Sequence, residues 1–233
     1  MKVGLMETEI VVIAGRECQF FPQEGAEWLV VQPIDKRDQT ELAQEIEMAR
    51  SLTDRNFSLV AFPVLDWNRE LPPWTASPVF GKEPFGDGAT DTLRFVVEQI
   101  VPAFRNGATH IMLCGYSLAA LFALWAGYQT DAFDAIAAAS PSVWYPRWIE
   151  YASQKKPLAQ MVYLSLGDKE ANARNPVMAQ VGQAIRQQYE LLAELGPSAT
   201  LEWNPGNHFV DAGKRMARGI AWIMNKTKVT DNG

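Results

Sequence analysis

A chain of 233 residues with 48% hydrophobic residues has enough apolar material for one full core, and a single domain is expected. Its formal charge of −6, with no basic cluster longer than Lys155–Lys156, excludes a partner held through a phosphate backbone, so no nucleic acid is expected. Only two cysteines occur, Cys18 and Cys114, which excludes a disulfide framework and a cysteine-based zinc site, and both are expected to be reduced structural thiols.

The N-terminal stretch MKVGLMETEIVVIAG has no sustained apolar region ahead of Glu7 and Glu9, and no run of about 18 apolar residues marks a membrane span. A soluble cytoplasmic protein without a membrane partner is expected. Strands are predicted at 10–14 (IVVIA), 28–34 (WLVVQPI), 57–64 (FSLVAFPV), 110–115 (HIMLCG), 133–139 (FDAIAAA), 161–167 (MVYLSLG) and 200–203 (TLEW). Several are continuous apolar runs, the pattern of strands covered on both faces, so a mostly parallel central sheet follows.

Helices are predicted between them. Asp38 with Glu41 can cap a helix carrying Leu42, Ile46 and Ala49 on one face, and the run over 90–104 repeats with Leu93, Val97, Ile100 and Phe104. Asn175 followed by Pro176 opens a helix with Val177, Val181, Ala184 and Leu191 inward, closed by Gly196 and Pro197. A last helix runs from about Asp211 to Asn225, with Ile220, Ile223 and Met224 available for burial. The stretch 65–88 holds Trp67, Trp74, Phe80 and Phe85, and so long and aromatic a loop is expected to be ordered and functional.

One pentapeptide carries chemistry. GYSLA at 115–119 sits where the apolar run IMLC gives way to the helix-forming run LAALFALWAGY, the sequence form of a nucleophile elbow. Small residues on each side of the bend let a serine stand in strained geometry above a strand end. Such strings arise by chance in a chain rich in Gly, Ala and Ser, and it is the flanks that lift this one.

Ser117 needs a base, and the chain offers His110 and His208. His110 opens the strand that ends at the elbow, so seven extended residues put it about 23 Å from Ser117, at the opposite edge of the sheet. His208 follows the last predicted strand, in the loop NPGNHF. A carboxylate to orient it should follow an intervening strand, and MVYLSLG runs directly into Asp168, Lys169 and Glu170. Serine, then acid, then histidine is the α/β-hydrolase order rather than that of chymotrypsin or subtilisin. Whichever of Asp168 and Glu170 is not the acid reads as a solvated loop charge or a brace for Arg174. An oxyanion formed on attack by Ser117 needs backbone N–H donors. Leu118, at the positive end of its helix, is one candidate. The other lies in QPID at 32–35, where Pro33 has no N–H and Ile34 or Asp35 remains, though Asp35 reads equally as a helix cap.

With GYSLA, SPSVWY at 140–145, SLGDKE at 165–170 and GNH at 206–208, the chain resembles the α/β-hydrolases of the esterase type, a group that includes small bacterial carboxylesterases and the siderophore esterases. AFPVLDWNRELPPW at 61–74 and VFGKEPFGDGA at 79–89 look like the signature of a compact bacterial branch. The resemblance implies an α/β-hydrolase fold with a small or absent cap, the best place for one being 142–157. It implies a serine hydrolase that cleaves a small-molecule carboxylic ester through an acyl-serine, without metal or organic cofactor. The alternatives are an acyltransferase or thioesterase on the same residues, or a noncatalytic protein that keeps the fold. Among such proteins the acid commonly follows the strand-ending glycine by three residues, which selects Glu170 over Asp168. Trp67, Trp74, Trp144 and Tyr145, with Trp148, are candidates to wall an acyl pocket, although each aromatic taken singly reads as core or scaffold. Arg69, Arg147 and Arg174 are weaker candidates for an anion-binding pocket. Homodimers are common in the group. The chain departs from it in having Ala119 rather than Gly at the elbow, and in lacking a HisGly pair ahead of the oxyanion donor.

Overall fold

The computed structural model describes residues 8–35, 40–79 and 81–227; the expectations placed on Asp38, Phe80 and the first seven residues lie outside these. The chain opens with an antiparallel hairpin, β1 (Glu9–Ile13) and β2 (Arg16–Phe21), joined by Ala14 and Gly15, both at positive φ. The sequence reading did not predict β2, because RECQFF mixes charge with apolar residues. Its alternation nevertheless puts Cys18 and Phe20 in the core.

Strands β3 (Trp28–Ile34), β4 (Phe57–Pro63), β5 (His110–Tyr116), β6 (Ala135–Ala139), β7 (Met161–Gly167) and β8 (Ser198–Asn204) complete the sheet. Among the described residues the strand order is β1-β2-β4-β3-β5-β6-β7-β8, parallel from β4 to β8. The continuous apolar runs are the interior strands, as their composition predicts: every residue of β3 and of β6 is buried.

Helices cover both faces. On one lies α1 (Leu42–Leu52), with Leu42, Ile46 and Ala49 buried as predicted, although Glu41 at its start makes no side-chain cap. On the other, α2 (Trp67–Glu70) and α3 (Ala89–Phe95) lead into a π-turn over Val96–Ile100 and then α4 (Val101–Phe104). The π-turn corrects the uniform helical period predicted over 90–104: Val96, Ile100 and Val101 are buried, whereas Val97 is only half-buried. Pro102 supplies the reason. It has no N–H and its ring would strike the carbonyl four residues back, so the backbone widens, and Val101 N–H donates to the Val96 carbonyl.

Helix α5 (Leu118–Gln129) is buried from Leu118 through Tyr128, which its unbroken apolar sequence requires. Helix α6 (Trp148–Ser153) packs into the body of the fold: Trp148 is fully buried and its indole N–H donates to Gln188 at 2.8 Å. Helix α7 (Val181–Leu195) starts six residues later than Asn175 suggests. The Asn175 side chain accepts from the Val177 and Met178 N–H groups, a local turn that leads into 3-10 geometry first, and Leu191 is then only half-buried while Ile185, Gln188 and Leu192 face the core. Gly196, at φ 106°, closes the helix as predicted. Helix α8 (Ala212–Lys226) packs beside α1. The described residues of the loop over 65–88 are tied together by an Ala76–Phe85 bridge and by Gly86 and Gly88 N–H bonds to the Asn68 and Arg69 carbonyls. No described helix is long and apolar enough to cross a membrane.

Candidate active site

Ser117 follows β5 directly and precedes α5, at φ 58° and ψ −119°, a conformation a side chain seldom adopts. The bend is tied down on both sides: Ser117 N–H donates to the Ala139 carbonyl at 3.2 Å, and its own carbonyl accepts from Ser142 N–H at 3.0 Å. Gly115 makes the bend possible. A Cβ there would lie 2.5 Å from the Ala119 carbonyl, so α5 folds back over a backbone that must be bare. Ala119 itself is fully buried, and its methyl is accommodated where related elbows carry glycine.

His208, in the loop after β8, places Nε2 3.0 Å from Ser117 Oγ and Nδ1 2.7 Å from Glu170 Oε2. Glu170, three residues past Gly167, is thus the carboxylate brought to the imidazole. Its other oxygen, Oε1, accepts from Gly167 N–H at 2.7 Å, Ser140 hydroxyl at 2.8 Å and Arg215 Nη1 at 2.7 Å. Burial raises the Glu170 carboxyl, but the hydrogen bond and charge of His208, the Gly167 N–H and the Ser140 hydroxyl outweigh it and hold it below the usual carboxylate value. Asp168, two residues away, is exposed and accepts from Gly206 N–H at 2.8 Å. It braces the loop that carries His208 and not Arg174.

An imidazole fixed through Nδ1 offers Nε2 to the hydroxyl proton, so the Ser117–His208–Glu170 chain is equipped to activate an oxygen nucleophile. His110, by contrast, stacks on Trp28 at the start of β5, 4.8 Å between ring centres. Leu118 N–H stands at the first turn of α5, where a helix leaves its amides without internal partners. Ile34 ends β3 and is buried, its carbonyl taken by Val64 N–H, and Asp35 follows it. The β3–β5 ladder stops at Val31↔Leu113, so these two residues lie past the last paired position beside the elbow.

A cleft of about 440 Å3 opens beside His208 and Glu170, and Trp144, Met178, Val181 and Phe209 give it apolar walls. Phe209 is 88% exposed at its lip. Lys169 and Arg174 also line it, and neither has a carboxylate partner among the described residues.

The other aromatic candidates lie elsewhere. Tyr145 is buried, and its hydroxyl donates to the Trp74 carbonyl at 2.6 Å; Trp74 bonds the Pro146 carbonyl and lines a separate groove with Arg147. These two rings pack on each other, 5.9 Å between centres, and neither lines the cleft beside His208. Trp67 faces a small recess with Gln32, Pro33 and Tyr116. Arg69, Arg147 and Arg174 fall in three different depressions, so they do not form one basic pocket.

Sequence reasoning missed Arg215, Tyr116 and Ser140. The signal for Arg215 was an arginine on the face of α8 that also carries Met216, Gly219 and Ile220; for Ser140 it was a small polar residue directly after a buried strand.

No family model matches the chain, and no curated protein does. Solved structures match over most of its length. An IroE-like serine hydrolase from Shewanella oneidensis is 17% identical, with a TM-score of 0.74 over 90% of this chain and 76% of the other. The siderophore hydrolase EstB from Aspergillus nidulans is 17% identical, with a TM-score of 0.71 over 94% of each chain. The enterobactin esterase FES from Shigella flexneri is 18% identical, with a TM-score of 0.65 over 90% of this chain and 55% of that larger one. At these identities the likeness is one of fold: the chain has the α/β-hydrolase fold, an open, mostly parallel sheet with helices on both faces.

Proposed function

We propose that the protein is a serine hydrolase that cleaves carboxylic esters through an acyl-serine, with Ser117 as nucleophile, His208 as general base and acid, and Glu170 as the orienting carboxylate. The observation that carries this reading is the unbroken chain of short contacts, 3.0 Å from Ser117 Oγ to His208 Nε2 and 2.7 Å from His208 Nδ1 to Glu170, on a strained elbow. The names of the solved structures, serine hydrolase, siderophore hydrolase and esterase, support the choice of ester.

In the proposed reaction Ser117 Oγ bonds to the carbonyl carbon while its proton passes to His208 Nε2. The carbonyl becomes an oxyanion, held by Leu118 N–H and by Ile34 or Asp35 N–H. Collapse breaks the bond to the alcohol oxygen, which leaves with the His208 proton. Water then gives a proton to His208 and its oxygen to the acyl carbon, releasing the acid and restoring Ser117. The cleft favours an ester whose apolar part packs on Trp144, Met178 and Phe209 and whose anionic group meets Lys169 or Arg174. No step calls for a metal or organic cofactor.

A fluorophosphonate probe tests the reading. Serine attack on phosphorus with loss of fluoride should label the parent rapidly and leave Ser117→Ala unlabelled; a folded parent that resists labelling overturns it. Product analysis with an added alcohol separates transfer to water from transfer to a second acceptor.

A further inference from the structure

The guanidinium of Arg215 lies under the site and does not line the cleft beside His208. It enters from α8, on the far face of the sheet, and reaches the ends of four consecutive strands. Nη1 donates to Tyr116 hydroxyl at 3.2 Å at the end of β5, to Ser140 at 2.9 Å after β6, and to Glu170 at 2.7 Å after β7. Nη2 donates to the Pro205 and Asn207 carbonyls, at 3.3 Å and 2.9 Å, in the loop after β8 that carries His208. Tyr116 closes the ring by donating to the His208 carbonyl at 2.7 Å. Burial raises the Tyr116 hydroxyl above its ordinary value, which keeps that donor protonated.

Stability alone is a poor reason for this arginine. Its side chain is 1% exposed among Met216, Ala217 and Ile220, and Nε has no partner. Buried ion pairs exchanged for well-packed apolar residues often leave stability unchanged or improved. What the guanidinium does supply is geometry: the Nη1 and Nη2 donors, held in a rigid planar fork, tie the acid and the backbone of the base to one body. There is no slack around it, since a Cβ at Gly167 would come within 2.8 Å of Nη2 and 3.0 Å of Glu170 Oε1.

Resting on the serine-hydrolase reading above, we propose that Arg215 is a positioning residue that sets the Ser117–His208–Glu170 alignment by fixing Glu170 and the His208 loop together. Arg215→Lys keeps the buried cation opposite Glu170, and with it the fold, but an ammonium cannot span the carboxylate and both carbonyls. With p-nitrophenyl acetate as probe substrate, kcat should fall on the order of ten- to a hundredfold, the cost of about 1 Å of misplacement, while KM stays within about twofold. The low-field proton resonance of His208 Nδ1–H should broaden or move upfield in the same variant, which a merely structural substitution elsewhere on α8 would not cause. Arg215→Met should lose more, and less of that loss should remain in a Glu170→Gln background, because part of the effect runs through Glu170. A folded Arg215→Lys protein with parental kcat and resonance overturns the proposal while the parent still labels with fluorophosphonate. An unlabelled parent overturns the hydrolase reading itself.

Discussion

The chain sets a histidine beside a carboxylate at both rims of its sheet. At the start of β5, His110 Nδ1 lies 3.6 Å from Asp134, and both side chains are about one-third exposed, at 37% and 34%. At the other rim His208 meets Glu170 at 2.7 Å, and the carboxylate is 4% exposed. The difference is in what surrounds the acid. Asp134 spends its second oxygen on Ile111 N–H and serves the start of the strand, and its histidine lies flat on Trp28. Glu170 is held by three further donors that leave one oxygen aimed at the imidazole, and the opposite ring nitrogen faces a hydroxyl. A histidine–carboxylate contact is common; a prepared acid on one side and a strained serine on the other are what the proposed base requires.

Substitutions can break that comparison, and the largest effect belongs to the elbow. Ser117→Ala should lower ester hydrolysis by about 10^4-fold or more, to the level of residual binding and oxyanion stabilisation, measured as kcat on a purified folded protein. His208→Ala should approach the same loss, whereas His110→Ala should keep activity within about twofold and cost no more than about 1 kcal/mol of stability for the lost ring contact. Equal losses at the two histidines would erase the distinction between the two rims.

The acids come next. Glu170→Gln preserves shape but removes the charge that stabilises the imidazolium in the proposed reaction, and kcat should drop on the order of 10^2- to 10^4-fold. Asp168→Asn should cost only a few-fold through the Gly206 brace, and Asp134→Asn nothing measurable in rate. Glu170 should also leave a mark in pH-dependent stability. Its folded value lies below the ordinary 4.5, so between the two values the unfolded chain binds more protons. The contribution is fully present above about pH 4.5 and is lost as pH falls through the folded value. The gap in thermal midpoint between parent and Glu170→Gln should therefore narrow as pH is lowered below 4.5, and a constant gap would contradict the assignment.

What the sequence disclosed follows from how local each feature is. The interior strands announce themselves because burial on both faces demands unbroken apolar runs, and the elbow because one strand, one bend and one helix are contiguous. His208 emerged by elimination, and Glu170 was preferred to Asp168 only through the offset from Gly167 that the family resemblance implies. The π-turn was hidden because its cause, Pro102, lies beyond the residues it displaces. Trp74 and Tyr145 were misplaced because aromatic composition states how much area must be buried, not on which side of a turn. Arg215 was out of reach for a different reason: its partners are 45 residues away at Glu170, 75 at Ser140 and 99 at Tyr116, and only the assembled sheet brings them together.

The backbone at position 117 has a consequence that can be measured without any substrate. A residue with a side chain held at φ 58° and ψ −119° is under a conformational load that glycine would not feel. Ser117→Gly should therefore melt higher than both the parent and Ser117→Ala, by the equivalent of about 1 kcal/mol. A calorimeter would then record, as heat and temperature alone, the tension this chain carries in order to keep one hydroxyl standing upright.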